Sequence, residues 1–137
     1  MRLRTNDPAT LEPETVTFDA SSSNAYISLQ ENNAVLKLNL TTKAVTPFGL
    51  GTTTHLMDVS TSGGYVPATA RTELREPDGI AVLTIGGVEY FVTADEGDTR
   101  EYSGFNEEAR VGALNLDPVA FPNGAVLKNV ANLGRML

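Results

Sequence analysis

The residues Glu12-Pro13-Glu14-x-Val16-x-Phe18 return as Glu76-Pro77-Asp78-x-Ile80-x-Val82, at a constant offset of 64. With no gap, the same offset sets Tyr26 on Tyr90, Ile27 on Phe91 and Glu31 on Asp95. Agreement at that many spaced positions marks an internal repeat, so the chain is built from two copies of one supersecondary unit.

The first copy reads as strands. Thr15 to Phe18 alternates, Asp19 to Asn24 is a Ser/Asn-rich turn, and Ala25 to Leu29 alternates again with β-branched and aromatic residues. Gln30 to Asn33 is a second turn, and Val35 to Leu40 carries apolar residues at every second position. Thr41-Thr42-Lys43 is a third turn, and Ala44 to Phe48 supplies a fourth strand whose Pro47 suits an outer edge. A four-stranded meander of this size is the unit of a propeller blade. In the second copy Gly79 to Ile85 and Val88 to Ala94 are strands joined at Gly86-Gly87, a dipeptide that readily takes the positive φ of hairpin turns.

Between the copies, from Gly49 to Leu74, the pattern dissolves into Gly, Thr and Ser and reads as a long excursion loop holding the only histidine, His55. Beyond Tyr102, Ser103 to Arg110 reads as a loop or a helical turn, Val111 to Leu116 as a strand, and Ala125 to Arg135 as weakly helical, with Gly134 as its stop. The expected organisation is an extension over 1–10, a first blade over 11–50, the excursion over 51–75, and an incomplete second blade over 76–137 with an acidic loop at 95–101. The fold class is all-β: about two four-stranded antiparallel meander blades of a β-propeller, not closed.

Chemistry is concentrated in that acidic loop. Thr93 to Tyr102 packs Asp95, Glu96, Asp98 and Glu101 beside Arg100 and Tyr102, and unpaired like charges this close repel. In an antiparallel hairpin the start of one strand and the end of the next share an edge. Glu14 and Glu31 are therefore expected at one rim of the first unit, and Asp78, Asp95, Glu96 and Asp98 at the matching rim of the second. Two readings fit. In one, the rim holds a hard divalent cation, Ca²⁺, with Asp95, Glu96, Asp98, Glu14 and Asp78 as oxygen donors and Gly97 as the bend. In the other, Arg100 and Arg110 neutralise the carboxylates, Tyr102 packs beneath, and Glu101 and Glu31 are supporting charges. Glu107-Glu108 reads as a solvated face.

Seventeen acidic against ten basic residues give a net charge of −7, which argues against nucleic acid or an anionic membrane as the main partner. No apolar run reaches transmembrane length, so membrane insertion is not expected, and Thr5-Asn6-Asp7-Pro8 stands where a signal peptide would need its apolar region. Without cysteine there is no disulfide framework, thiolate metal site or thiol nucleophile.

Leu11-Glu12-Pro13-Glu14, Leu29 to Ala34, Glu76 to Ala81, Thr93 to Tyr102 and Asn132 to Arg135 resemble, in order, the bacterial choice-of-anchor I propeller proteins. These are also labelled mesenchyme-specific cell surface glycoprotein-like or atypical alkaline phosphatase-like. The resemblance implies a secreted or surface-attached parent of several hundred residues, of which this chain is a fragment of about two blades. The family's Asp-rich segment has no counterpart here, since Val59 to Gly64 is uncharged. Three functions follow as expectations: a non-catalytic surface propeller binding a macromolecule or matrix, with any Ca²⁺ structural; a metal-dependent phosphoesterase with Arg100 stabilising negative charge; or a truncated product without activity. Two blades alone leave edges and an apolar face open, so self-association is expected.

Overall fold

The computed structural model describes residues 8–59, 67, 69–134 and 136. Almost every regular element is a strand. The first four are β1 (Pro13–Phe18), β2 (Asn24–Leu29), β3 (Ala34–Asn39) and β4 (Val45–Gly49), and they form one antiparallel sheet in the order β1-β2-β3-β4. The expected meander is thus present, with Pro47 on an edge strand opposite Leu36. Its turns are closed by their own polar side chains. The Asp19 carboxylate accepts from the backbone N–H of Ser23 and Asn24 at 2.7 and 3.2 Å, and Asn39 Oδ1 accepts from the N–H of Thr41 and Thr42. Lys43 completes the third turn with φ +62°.

The pleat sends Val16, Phe18, Ala25, Ile27, Leu29, Ala34, Leu36, Leu38 and Val45 to one face of this sheet and Tyr26, Ser28, Val35, Lys37 and Phe48 to the other. Its centre is the core of the unit it belongs to: Ala25, Tyr26, Leu29, Ala34 and Val35 are all buried.

β7 (Pro77–Ile85) and β8 (Val88–Asp95) make the second hairpin, turned by Gly86 and Gly87 at φ +59° and +80°. It lies on the Tyr26 face, where the Phe91 ring meets Tyr26 at 6.1 Å and Phe48 at 5.7 Å between centroids. Both hairpins have a register irregularity just after the repeated proline, between Pro13 and Val16 and between Pro77 and Gly79. The repeat does not carry over to strand pairing. Val16 faces Ile27, but Ile80 faces Thr93 rather than Phe91, because the Gly86-Gly87 turn is tighter than the Asp19 loop and the strands run further before reversing.

Other segments depart from expectation. The stretch read as an excursion loop contains β5 (Thr52–Met57) and β6 (Thr69–Leu74), which pair in a two-stranded sheet. Threonine, read as a loop residue, is here acting as a β-branched strand former. His55 lies in β5, while Ser60–Gly64 falls outside the described residues. Ser103 to Arg110 opens as the turn and return strand of a small hairpin, β9 (Glu101–Tyr102) with β10 (Phe105–Asn106), and Gly104 supplies φ +86° at the turn. Val111 to Leu116 is not a strand. Val111–Ala113 is a 3₁₀ turn held by Val111 N–H to Met136 O and Gly112 N–H to Gly134 O. The helical stretch shrinks to α1 (Gly124–Leu127), since Gly, Val and Asn are weak helix formers. Gly134 is required for space: a Cβ there would stand 2.3 Å from Lys128 O.

The chain divides into two compact units, residues Met1–Thr53 with Glu73–Asp98, and residues Thr54–Thr72 with Thr99–Leu137.

Candidate functional site

In the first unit the turn Gln30 to Asn33 is buried although it is entirely polar. Buried polar groups must be paired, and the asparagines supply the pairing. Asn33 takes left-handed backbone at φ +52°, which Asn tolerates better than most residues. That turns its side chain toward the segment leading into β7. Its Oδ1 accepts from the N–H of Arg75 at 3.0 Å and of Glu76 at 3.1 Å, and its Nδ2 donates to Gly51 O at 2.7 Å. Asn32 does the same on the other side, accepting from Glu12 N–H at 3.1 Å and donating to Thr10 O at 2.9 Å. Ser28 adds a donor to Asp78 O at 2.9 Å. One turn thereby fastens the strand entry at Glu12, the exit of β4 and the entry of β7.

Glu31 immediately precedes those asparagines in the turn and is 6% exposed. Burial pushes its carboxyl above the usual carboxylate range, and the neighbouring charges of Glu12 and Asp98 push in the same direction. Glu12 Oε1 is also buried and has no hydrogen-bond partner among the described residues. The carboxylate that acts on Glu31 from β1's entry is thus Glu12, one residue before the strand, whereas Glu14 is exposed on the strand itself.

The remaining expected donors are spread along the end of the β7–β8 hairpin. Asp95, opposite Pro77, accepts from the Thr93 hydroxyl at 2.8 Å and pairs with Arg75 at 3.1 Å. Asp78 is half-buried and is held through its carbonyl. Glu96 donates its N–H to Glu76 O at 3.2 Å, and Glu96 and Asp98 are exposed on either side of Gly97, which makes the expected bend at φ +83°. Among the described residues no group of three or more His, Asp or Glu side chains is arranged to hold a metal ion.

In the second unit Arg100 grips Glu107 with two side-chain donors, Nε at 3.0 Å and Nη2 at 2.5 Å, and its N–H adds a third bond at 3.1 Å. Its guanidinium also stands 5.7 Å from the Phe105 ring, which in turn stacks on Tyr102 at 6.3 Å. Glu107, read as a solvated residue, is therefore a main charge partner of Arg100. Glu101 accepts from Asn106 Nδ2 at 2.9 Å across the same hairpin. Arg110 is exposed and precedes the 3₁₀ turn. A shallow cleft of about 390 Å³ in this unit is lined by Leu116, Pro118, Phe121, Pro122 and Lys128 among others.

A further polar cluster ties the β7–β8 hairpin to the sheet. The Tyr26 hydroxyl donates to Glu89, whose carboxylate also pairs with Lys37 Nζ at 3.0 Å, and Lys37 lies 5.1 Å over the Tyr26 ring. Burial, then the bond to Glu89, raises the Tyr26 phenol, so it is a poor nucleophile. Sequence spacing gave no signal for this cluster or for Arg75 and Asp95, since each joins residues 20 to 63 positions apart. The paired asparagines before an apolar strand were visible as a turn, but not as a fastening.

Antiparallel sheets, with buried polar side chains that fasten one strand pair to another in the first unit, define an all-β protein. The chain belongs to the choice-of-anchor I domain family, whose model matches residues 4–137. That membership associates it with the cell surface. No curated protein and no solved structure matches the chain. Among the described residues no helix is long and apolar enough to cross a membrane.

Proposed function

We propose that this chain is a non-catalytic binding or structural module of a secreted or surface-attached β-propeller, contributing about two blades. One observation carries the reading: the four-stranded sheet is apolar at the centre of both faces, with Leu29 and Ala34 buried on one side and Tyr26 and Val35 on the other. A sheet of that kind is suited to lie between two further layers, as propeller blades do. The β7–β8 hairpin supplies the first strands of one such layer.

A calcium site at the acidic rim is a second reading. It is supported by the placement of Asp78, Asp95 and Glu96 at one end of a hairpin, and by the buried Glu31 carboxyl, on which the charges of Glu12 and Asp98 act. Phosphoester hydrolysis, the activity implied by the phosphatase-like resemblance, has no comparable support, because Arg100 is committed to Glu107 and Asp95 to Arg75.

Calorimetric titration with Ca²⁺, paralleled by turnover of a generic phosphoester in Ca²⁺, Mg²⁺ or Zn²⁺, tests these readings. The module reading expects no turnover. Metal-dependent turnover that vanishes in the Asp95→Asn/Asp98→Asn variant overturns it. Calcium heat lost in the same variant without turnover establishes a structural cation site, and no heat removes the second reading.

A further inference from the structure

The β7–β8 hairpin has two unlike faces. Val82, Phe91 and Glu89 point to the sheet, where Phe91 and Glu89 make the contacts described above. The alternate positions, Ala81, Leu83, Ile85, Val88, Tyr90 and Val92, point away from it. All six are exposed, with Ile85 at 63%, Val88 and Val92 at 52%, Tyr90 at 48% and Leu83 at 36%. They are cross-strand neighbours, Ile85 with Val88, Leu83 with Tyr90 and Ala81 with Val92, so the surface is one continuous ladder without a charge. A solvated strand face would alternate in polar residues; this one does not.

We infer that this face binds the same face of a second copy of the chain, in a reversible two-fold dimer. The ladder suits that occupant. Leu83 and Tyr90 are its midpoint, so a two-fold axis through them sets the Ile85/Val88 tip of one copy against the Ala81/Val92 end of the other, and both sheets pack face to face at about 10 Å. Absence of charge on the ladder matters because each copy carries a net −7, and only an uncharged patch brings the two together without pairing like charges.

The area decides how strong the contact is. About half of each of five large apolar side chains amounts to roughly 400 Å² per copy. Two copies bury roughly 800 Å² of apolar surface, and with the usual polar share the interface totals about 1,300 Å², near the lower end for specific association. The expected dimer is therefore reversible, with Kd of about 1–100 μM. This inference rests on the two-blade reading in that an unclosed propeller leaves this face open.

Sedimentation velocity of the full chain from about 5 to 500 μM tests it. The wild type should pass from monomer to dimer and stop there. Tyr90→Lys, at the midpoint, should stay monomeric throughout while keeping the wild-type far-ultraviolet spectrum. Ile85→Thr, which keeps a β-branched residue in the strand, should weaken the dimer at least about tenfold. Val45→Lys, on an exposed position of the four-stranded sheet, should dimerise as the wild type does. A wild type that remains monomeric at every concentration, growth beyond the dimer, dimerisation unchanged in both hairpin variants, or loss of the dimer in Val45→Lys would each overturn the inference.

Discussion

Asn33 Oδ1 accepts the backbone N–H of Glu76 at 3.1 Å, and both residues hold left-handed backbone, at φ +52° and +47°. Each residue's unusual conformation is thus matched by a bond to the other. Such strain persists only where its surroundings over-determine it, and here two side-chain bonds to Arg75 and Gly51 complete the restraint.

Replacing Asn33 by Ala removes three hydrogen bonds and leaves the left-handed backbone without its preferred residue. The expected loss is about 3 kcal/mol. Asn33→Gly relieves the backbone but not the bonds, so it should be the milder of the two. Urea unfolding with comparison of midpoints checks the order; equal stability of wild type and Asn33→Ala would show that water replaces the side chain without cost.

Glu31 is held above the usual carboxylate range by burial, Glu12 and Asp98. A carboxyl of raised pKa binds its proton more readily when folded, so its contribution is most favourable in acid and declines as pH rises through the raised value. Glu31→Gln should therefore melt a few degrees higher than wild type at neutral pH, the response to about 1 kcal/mol, and the gap should close on mild acidification. Melting temperatures at a series of pH values settle it; a lower Tm for the variant at neutral pH would contradict the sign.

Glu89 shows the opposite shift: bonds from Tyr26 and then Lys37 lower its carboxyl. Its contribution is present above the ordinary carboxylate range and is lost as pH falls through the lowered value. Tyr26→Phe should cost about 1 kcal/mol at neutral pH, with a coupling of similar size to Glu89→Gln in a double-mutant cycle. Lys37→Met should cost less, because that pair is about a third exposed, at 31% on each side.

Gly134 and Gly86 should respond differently to alanine. At Gly134 the new Cβ meets Lys128 O at 2.3 Å and Asn129 C at 2.9 Å, all of it backbone, so the second unit must shift at a cost of about 2–3 kcal/mol. At Gly86 nothing lies within 4 Å and only the φ of +59° opposes the change, for about 1 kcal/mol. Thermal unfolding of both variants measures the difference; a larger loss at Gly86 would reverse the assignment.

The sequence made the meander legible because its strands alternate and its turns are built from Asp, Asn, Ser and Lys at positions where local hydrogen bonds close them. Gly86-Gly87 was equally readable. β5 was not, since Thr52, Thr53 and Thr54 beside glycines have the composition of a loop and declare themselves as strand only when β6 is alongside. The acidic loop was visible as a charge run, and Gly97 as its bend. Its charge partners were not, because Arg75 reaches Asp95 through hairpin closure and Arg100 reaches Glu107 across the β9–β10 turn, relations that no local pattern encodes.

The fastening at Asn33 also sets an order of events during synthesis. All four strands of the first sheet leave the ribosome before Glu76, which lies 43 residues after Asn33. At translation rates of about 5–20 residues per second, the buried turn waits roughly 2–9 s for the backbone donors that satisfy it. Until then Asn33 is served by water, and the nascent sheet has its pairing but not its lock.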